Sequence, residues 1–176
     1  MSDAREALLD RVITEAAMNG LADRSLRELA DAADTSHRML LYHFGSRAGL
    51  VAAIVERVET DQRLALTDMA RRAESAADLV RLLWDQVSSP ELRPFVRLFF
   101  ECVAATGGEG LTDPWLEVGD QVAATIGETT DEDMLRLGVA VSRGLLIDVL
   151  ATGDSGPATR SLERFIDLWE MEQRAR

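Results

Sequence analysis

Apolar residues recur along this chain at the three- and four-residue spacing of a helix face. No segment shows the sustained alternation of apolar and polar residues that a half-buried strand would show. The first helical segment covers about residues 4–18 and stops at Asn19-Gly20, a pair that suits a left-handed helix cap. The pattern predicts an all-α fold of about nine helices.

Two short helices are predicted next. Ser25-Leu26-Arg27-Glu28 has the Ser-x-x-Glu form of a capping box and opens a helix through Ala32. After a tight turn, Thr35 or Ser36 caps a third helix that ends at Phe44. Two short helices joined by such a turn and braced by a longer helix describe a helix-turn-helix unit. The expected buried side of the third helix consists of Met39, Leu40 and Phe44.

Six further helices are predicted toward the C-terminus. The eighth is apolar around most of its circumference, so more than one of its faces must be covered. A flexible break is expected at residues 106–110, where glycines cluster. The six helices are marked by Ser46 before residues 47–72, by Ser75, by Ser89-Pro90, by Asp113-Pro114, by Thr130-Asp131, and by Pro157 near the start of the last.

Composition and cysteine content narrow the class of protein. Of 176 residues, 47% are hydrophobic and 28% are charged, as is usual for a packed soluble domain. No apolar run approaches the ~20 residues of a membrane span, and the acidic N-terminus lacks a signal-peptide pattern. Cys102 is the single cysteine, so no internal disulfide and no zinc framework is expected. These features predict a cytoplasmic protein with no membrane partner.

The charge is unevenly distributed. A net charge of −12 is unusual for a protein that binds nucleic acid, whose phosphates attract basic surfaces. From Thr35 to Val55, however, the chain has no acidic residue, and this is its longest acid-free stretch. Arg38 and Arg47 lie within it, together with both histidines. The average charge therefore conceals a segment that is suited to DNA.

The same segment carries a family resemblance. The run from Ser25 to Leu50, SLRELADAADTSHRMLLYHFGSRAGL, closely resembles the DNA-binding signature of the TetR family. Tyr42-His43-Phe44, followed by a Gly-Ser-Arg turn, is its most diagnostic part. Two residues depart from the usual pattern: Asp34 stands where glycine is common, and Leu41 where a second aromatic residue is frequent. Asp tolerates a left-handed backbone better than most residues, so the turn is still expected.

The resemblance implies a domain organisation and a function. Residues 1–46 would form a three-helix DNA-binding domain, and residues 47–176 a helical bundle that dimerises and binds a ligand. The protein would be a homodimeric repressor that binds a pseudo-palindromic operator on double-stranded DNA. A small hydrophobic or amphipathic effector would release it, and no cofactor is implied.

The predicted DNA contacts follow from helix positions and side-chain chemistry. The front of a short recognition helix fits the major groove, where the forked donors of Arg38 suit guanine. His37 would contact a base edge or a phosphate, and Tyr42 and His43 would contact the DNA backbone. Side chains at helix starts would hold phosphates. The full predicted set is Ser25, Thr35, Ser36, His37, Arg38, Tyr42, His43 and Arg47.

Two further sets are predicted in the C-terminal part. The resemblance places the ligand cavity among Trp84, Phe95, Phe99, Phe100, Trp115 and Met134, although aromatic residues at helical spacing are usually core. The eighth helix has more apolar surface than one chain can cover, and the ninth carries a matching stripe. The predicted dimer interface consists of Val139, Leu146, Val149, Leu162, Phe165, Ile166 and Trp169.

Other functions are weighed against this interpretation. A helical-bundle enzyme is disfavoured, because the sequence has no nucleophile, phosphate-binding or dinucleotide-binding motif. A metal site at His37 and His43 is disfavoured, because six positions on a helix separate them by about 240°. A dimeric helical small-molecule-binding protein with impaired DNA recognition stays open, given Asp34, Leu41 and the negative charge.

Overall fold

The computed structural model describes residues 3–107, 111–129 and 131–175. Within these ranges the chain forms nine helices and no strand, which confirms the predicted all-α fold. The helices are α1 Asp3–Asn19, α2 Leu26–Ala32, α3 His37–Phe44, α4 Arg47–Ala70, α5 Ala76–Val87, α6 Arg93–Thr106, α7 Asp113–Thr125, α8 Glu132–Thr152 and α9 Gly156–Ala175.

The ends of the short helices follow the predicted chemistry. The Glu28 amide donates to Ser25 Oγ at 3.3 Å, and the Ser25 amide donates to Glu28 Oε2 at 2.7 Å, which completes the capping box of α2. Ser36 rather than Thr35 caps α3, since its hydroxyl accepts from the Met39 amide at 3.2 Å. Gly20 ends α1 with a φ of +81°. These contacts satisfy backbone groups that helix ends leave unpaired.

Two helix starts differ from the prediction. α6 begins at Arg93 rather than at Ser89-Pro90. Pro94 therefore lies in the first turn, where its missing N–H would have had no helical partner. α7 is flanked by Thr112, whose side chain makes no capping hydrogen bond, and Asp113 is its first residue rather than its cap. Thr130 and residues 108–110, named in two predictions, lie outside the described residues.

The first of two packing units comprises Met1–Asp61 and Pro94–Glu109. Its core draws on α1, α2, α3, the first half of α4, and α6. Leu98 and Cys102 of α6 belong to this core and are almost wholly buried. The packing therefore divides the chain elsewhere than at residue 46, and the functional boundary predicted there stays a prediction.

The second unit comprises Gln62–Arg93 and Gly110–Arg176. One of its apolar clusters joins α5, α8 and α9, and another joins the end of α4 with α5 and α7. Between α5 and α9, the Trp84 indole N–H donates to Thr159 Oγ1 at 2.8 Å. Arg81 makes a two-pronged ion pair with Glu163 in the same region. The C-terminal residues thus form a helical bundle with a core of its own.

Candidate nucleic-acid interface and sensor domain

The turn between α2 and α3 has the geometry of a helix-turn-helix. Asp34 adopts a φ of +51°, the left-handed conformation that its position requires. The Thr35 amide then donates to the Ala30 carbonyl at 3.0 Å, which closes the turn on the end of α2. An aspartate can occupy this region at lower cost than most residues. The departure from glycine therefore leaves the turn intact.

The outer face of α3 is available to a partner. Leu40 and Phe44 anchor the helix, since both side chains are buried in the core of the first unit. On the opposite side Tyr42 is 78% exposed, and Arg38 is also exposed. The predicted burial of Met39 is wrong, because its side chain is 41% exposed. At about 100° per residue, Met39 lies about 100° around the helix from buried Leu40, toward solvent.

The two histidines lie on the flanks of this face and are half-buried. The His43 ring packs edge-on against the Tyr42 ring, with centroids 4.9 Å apart. His43 also lies beside Phe44, with ring centroids 6.2 Å apart. Among the residues that the structure describes, no three His, Cys, Asp or Glu side chains form a metal-binding group.

The serines at the helix starts are already part of the fold. Ser25 Oγ accepts from the Glu28 amide, and Ser36 Oγ accepts from the Met39 amide. Each hydroxyl still has a proton that it can donate to a phosphate. The carboxylate of Glu28 has a pKa below its ordinary value, because it accepts hydrogen bonds from Ser25.

Arg47 has a structural role that the sequence did not reveal. Its Nη2 donates to the carbonyls of Leu21 at 2.9 Å and Ala22 at 3.2 Å, and its Nε donates to the Arg24 carbonyl at 3.3 Å. The Leu21 amide in turn donates to Glu101 Oε2 of α6 at 3.2 Å. The loop between α1 and α2 is thus held from two sides. No sequence pattern predicts this contact, because the partners are backbone carbonyls more than twenty residues away.

The six predicted ligand-binding residues are distributed between the two units. Trp84 is buried in the second unit, where Thr159 accepts its indole proton, and Trp115 packs against another cluster there. Phe99 and Phe100 stack edge to face, with centroids 5.3 Å apart, on α6. Phe95 packs against the core of the first unit, and Met134 of α8 is half-buried. Their assignment to a ligand stays a prediction.

The second unit also contains a surface cleft of about 380 Å³. Trp169 lines it, together with Glu128, Glu170 and the start of α5, and none of the six predicted ligand residues does. Its polar groups are largely occupied, since Glu128 accepts from the Ala76 amide and Glu170 pairs with Arg174.

Part of the predicted dimer interface needs correction. Val149, Leu162 and Ile166 are at most 2% exposed, because they form the core between α5, α8 and α9. Their side chains therefore have no surface to offer a second chain. The other four predicted residues, Val139, Leu146, Phe165 and Trp169, are half-buried. The apolar pattern in the sequence did not predict the large apolar side chains that α8 and α9 expose, which are Leu137, Ile147, Leu168 and Met171.

Comparison with known proteins decides the family. The family model described as bacterial regulatory proteins, tetR family, matches residues 8–54, which are α1 to α3 and the start of α4. This match identifies the helix-turn-helix of the chain as that of the TetR family. The chain is therefore a DNA-binding transcriptional regulator of the TetR type, as its exposed α3 also indicates. None of the curated proteins matches it in sequence.

Solved structures extend the likeness beyond the DNA-binding helices. The multidrug binding protein EbrR complexed with imidazole is 25% identical, with a TM-score of 0.66 over 94% of this chain and 90% of that one. EbrR complexed with ethidium gives 24% identity and a TM-score of 0.69 over 93% and 98% of the chains. A TetR-family transcriptional regulator from Pectobacterium atrosepticum is 19% identical, with a TM-score of 0.73 over 98% and 93%. The TetR-type fold thus covers nearly the whole chain.

None of the described helices of this TetR-type regulator has the length and apolar character needed to cross a membrane.

Proposed function

We propose that this TetR-type regulator is a ligand-released repressor that binds a pseudo-palindromic operator as a homodimer. The observation that carries the proposal is the outer face of α3. Leu40 and Phe44 bury one side of the helix, and Arg38 and Tyr42 stand exposed on the other, inside a stretch without acidic residues. A short helix presented in this way suits the major groove.

Each contact has a separate role in the proposed complex. Arg38 reads guanine through its paired donors, and His37 contacts a base edge or phosphate. Tyr42 and His43 contact the sugar-phosphate backbone and fix the orientation of α3. Ser25, Thr35, Ser36 and Arg47 lie at helix starts, where hydroxyls, amides and positive charge favour phosphate. Because phosphate contacts release counterions, affinity for the operator falls as salt rises.

The proposed homodimer is formed by the outward faces of α8 and α9. Leu137 and Ile147 of α8 are 46% and 54% exposed, and Leu168 and Met171 of α9 are about half exposed. Two helices with exposed apolar residues in each chain can form a four-helix interface around a twofold axis. Val139, Leu146, Phe165 and Trp169 would contribute at its edges. The twofold arrangement would set two recognition helices about 34–36 Å apart, one turn of DNA.

The proposed effector is a small hydrophobic or amphipathic molecule. Support comes from the structure of EbrR complexed with ethidium, which is similar to this chain over nearly its full length. A net charge of −12 would also favour attraction of cationic molecules. Ethidium is therefore the first probe to use. Trp84 and Trp115, the two tryptophans of the predicted set that lie in the second unit, are the candidates for contact.

The test combines DNA binding and release. Fluorescently labelled DNA from immediately upstream of the chain's own gene is titrated with protein, and anisotropy gives the affinity at several salt concentrations. Since ethidium itself intercalates into DNA, release is measured by a second method, in which operator DNA is immobilised on a surface and the amount of captured protein is followed as ethidium is added. The effect of ethidium on the same DNA without protein is the reference. Specific, salt-dependent binding that ethidium weakens supports the proposal. Binding that stays equal for operator and random DNA contradicts it.

A further inference from the structure

Met39 is an exposed apolar residue at the start of the recognition helix. It is the third residue of α3, whose N-cap is Ser36, and its side chain is 41% exposed. Its neighbour Leu40 is fully buried and, with Phe44, supplies the inward side of the helix. Met39 therefore does not fill the core. Recognition helices contact base edges with their N-terminal residues, which is where Met39 stands.

Among the base pairs, only those with thymine present a methyl group in the major groove. We propose that Met39 contacts the 5-methyl group of one thymine in each operator half-site, an inference that rests on the proposed operator binding. The thioether side chain is flexible and polarisable, so it can adapt to a small apolar group. The contact removes both the thymine methyl group and the Met39 side chain from water, which stabilises the complex.

The surroundings of Met39 favour DNA as the partner of this surface. Arg38, the residue before it, is exposed, and the segment from Thr35 to Val55 contains no acidic residue that would repel phosphates. Tyr42, which follows on the next turn, is 78% exposed on the same side. An apolar side chain placed among cationic and aromatic groups matches a groove with charged edges and a methyl group at its floor.

The spacing of residues along α3 also limits where the thymine can lie in the operator sequence. Consecutive Cα atoms are about 3.8 Å apart, and successive base pairs about 3.4 Å. If Arg38 reads a guanine, the thymine that Met39 contacts lies within one or two base pairs of it. Leu41 is 39% exposed but lies about 160° around α3 from Met39, so both cannot contact one base pair.

The experiment uses the full chain and DNA selected from a random library. In the selected operator, each thymine is replaced in turn by deoxyuridine, which removes only the methyl group. We expect one thymine in each half-site to respond, with about fourfold weaker binding per half-site, the effect of one buried methyl group. Met39→Ala should bind the thymine and uracil operators equally, and so should Met39→Gln, which keeps the length of the side chain.

Leu41→Ala is the matched control, because it removes an exposed apolar side chain from the other flank of α3. It should retain the preference for thymine over uracil. Circular dichroism and thermal unfolding verify that each variant is folded. The inference would be overturned if the wild-type protein bound every uracil-substituted operator as tightly as the thymine operator. It would also be overturned if both Met39 variants kept the wild-type preference for thymine over uracil. Either result leaves the proposed operator binding intact. Selection of no sequence at all would overturn the proposed operator binding with it.

Discussion

Arg38 is the residue whose surroundings most directly connect chemistry to sequence preference. Its side chain is exposed at the second position of α3, next to the N-terminal turn that would enter the groove. Arg38→Ala should weaken operator binding by about 1–3 kcal/mol and relax base choice at one position of each half-site. Binding to a set of operator variants would measure both effects. Equal losses on operator and random DNA would show that Arg38 contacts only phosphate.

Arg47 holds the α1–α2 loop through three carbonyls, so its removal should affect folding as well as DNA binding. Hydrogen bonds from a charged group contribute about 1.5–3 kcal/mol each at most, and those lost here are partly exposed. We expect Arg47→Ala to lower the free energy of unfolding by about 1–3 kcal/mol and to weaken binding to all DNA sequences alike.

Urea unfolding of Arg47→Ala, with Arg27→Ala as the control, tests this expectation. Arg27 is an exposed arginine of α2, so Arg27→Ala removes the same charge without removing the contacts that hold the loop between α1 and α2. Equal stability of the two variants would remove the structural role of Arg47. A salt slope for DNA binding that is unchanged in Arg47→Ala would instead remove its predicted phosphate contact.

Cys102 illustrates a residue that its environment makes inert. Burial, reinforced by the nearby Glu101 carboxylate, raises the pKa of its thiol to about 12. Because the thiolate is the reactive form, the folded protein should leave Cys102 unmodified by a disulfide reagent at pH 8. Denaturant should restore the reaction by exposing the thiol. Rapid modification of the native protein would contradict this burial.

At the scale of helices, the cap of α2 gives the clearest prediction. Ser25→Ala removes the hydroxyl that accepts from the Glu28 amide, and loss of such a cap costs about 1 kcal/mol of stability. It also removes a cause of the lowered pKa of Glu28. A depressed carboxyl pKa stabilises the fold above the ordinary value of 4.5, and this contribution is lost as the pH falls through the lower, folded-state pKa.

Thermal unfolding of the wild type and Ser25→Ala between pH 3 and 7 would measure both consequences. The two stability curves should converge toward the acid end. Thr67→Ala serves as a control, because Thr67 is exposed on α4 and its hydroxyl donates to the Arg63 carbonyl one turn earlier. Parallel curves would mean that the capping box contributes nothing to the acid dependence.

The same helices show what sequence pattern can and cannot predict. The capping box at Ser25, the left-handed Gly20 and the start of α5 at Ser75 are local, so the sequence predicted them. The side chain of Met39 is apolar, and pattern alone assigned it to the core because burial depends on packing around α3. For the same reason the apolar stripe of α9 predicts a dimer surface at Leu162 and Ile166, although both residues fill the core of their own chain.

At the scale of the whole molecule, the exposed faces of α8 and α9 predict a dimer sensitive to charge. Ile147→Glu or Leu168→Glu should shift the protein toward monomer at micromolar concentration, since burying an unpaired carboxylate is costly. Sedimentation velocity measures the shift. Leu64→Glu is the control, because Leu64 is 61% exposed on α4. A wild-type monomer would contradict the proposed interface.

Linkage between effector and operator gives a second prediction at this scale. A ligand that weakens operator binding by some factor must itself be bound more weakly by the same factor when operator is present. Couplings of this kind are typically about 5–150-fold. Trp115→Ala should weaken the response to effector and leave operator affinity near normal. A folded variant that loses DNA binding would contradict the sensor role of this residue.

The core of the first unit limits how freely this protein can be recombined with its relatives. Leu98 and Cys102 come from α6, yet they belong to the core of the DNA-binding helices, and Glu101 bonds Leu21 beside them. A hybrid that joined residues 1–61 to the sensor of another regulator would replace Leu98, Glu101 and Cys102 with side chains that do not match this core. Losing one buried leucine alone typically costs about 2–5 kcal/mol. An exchange of domains should give a folded protein only when residues 94–109 are transferred together with residues 1–61. The transferred segment must therefore include α6.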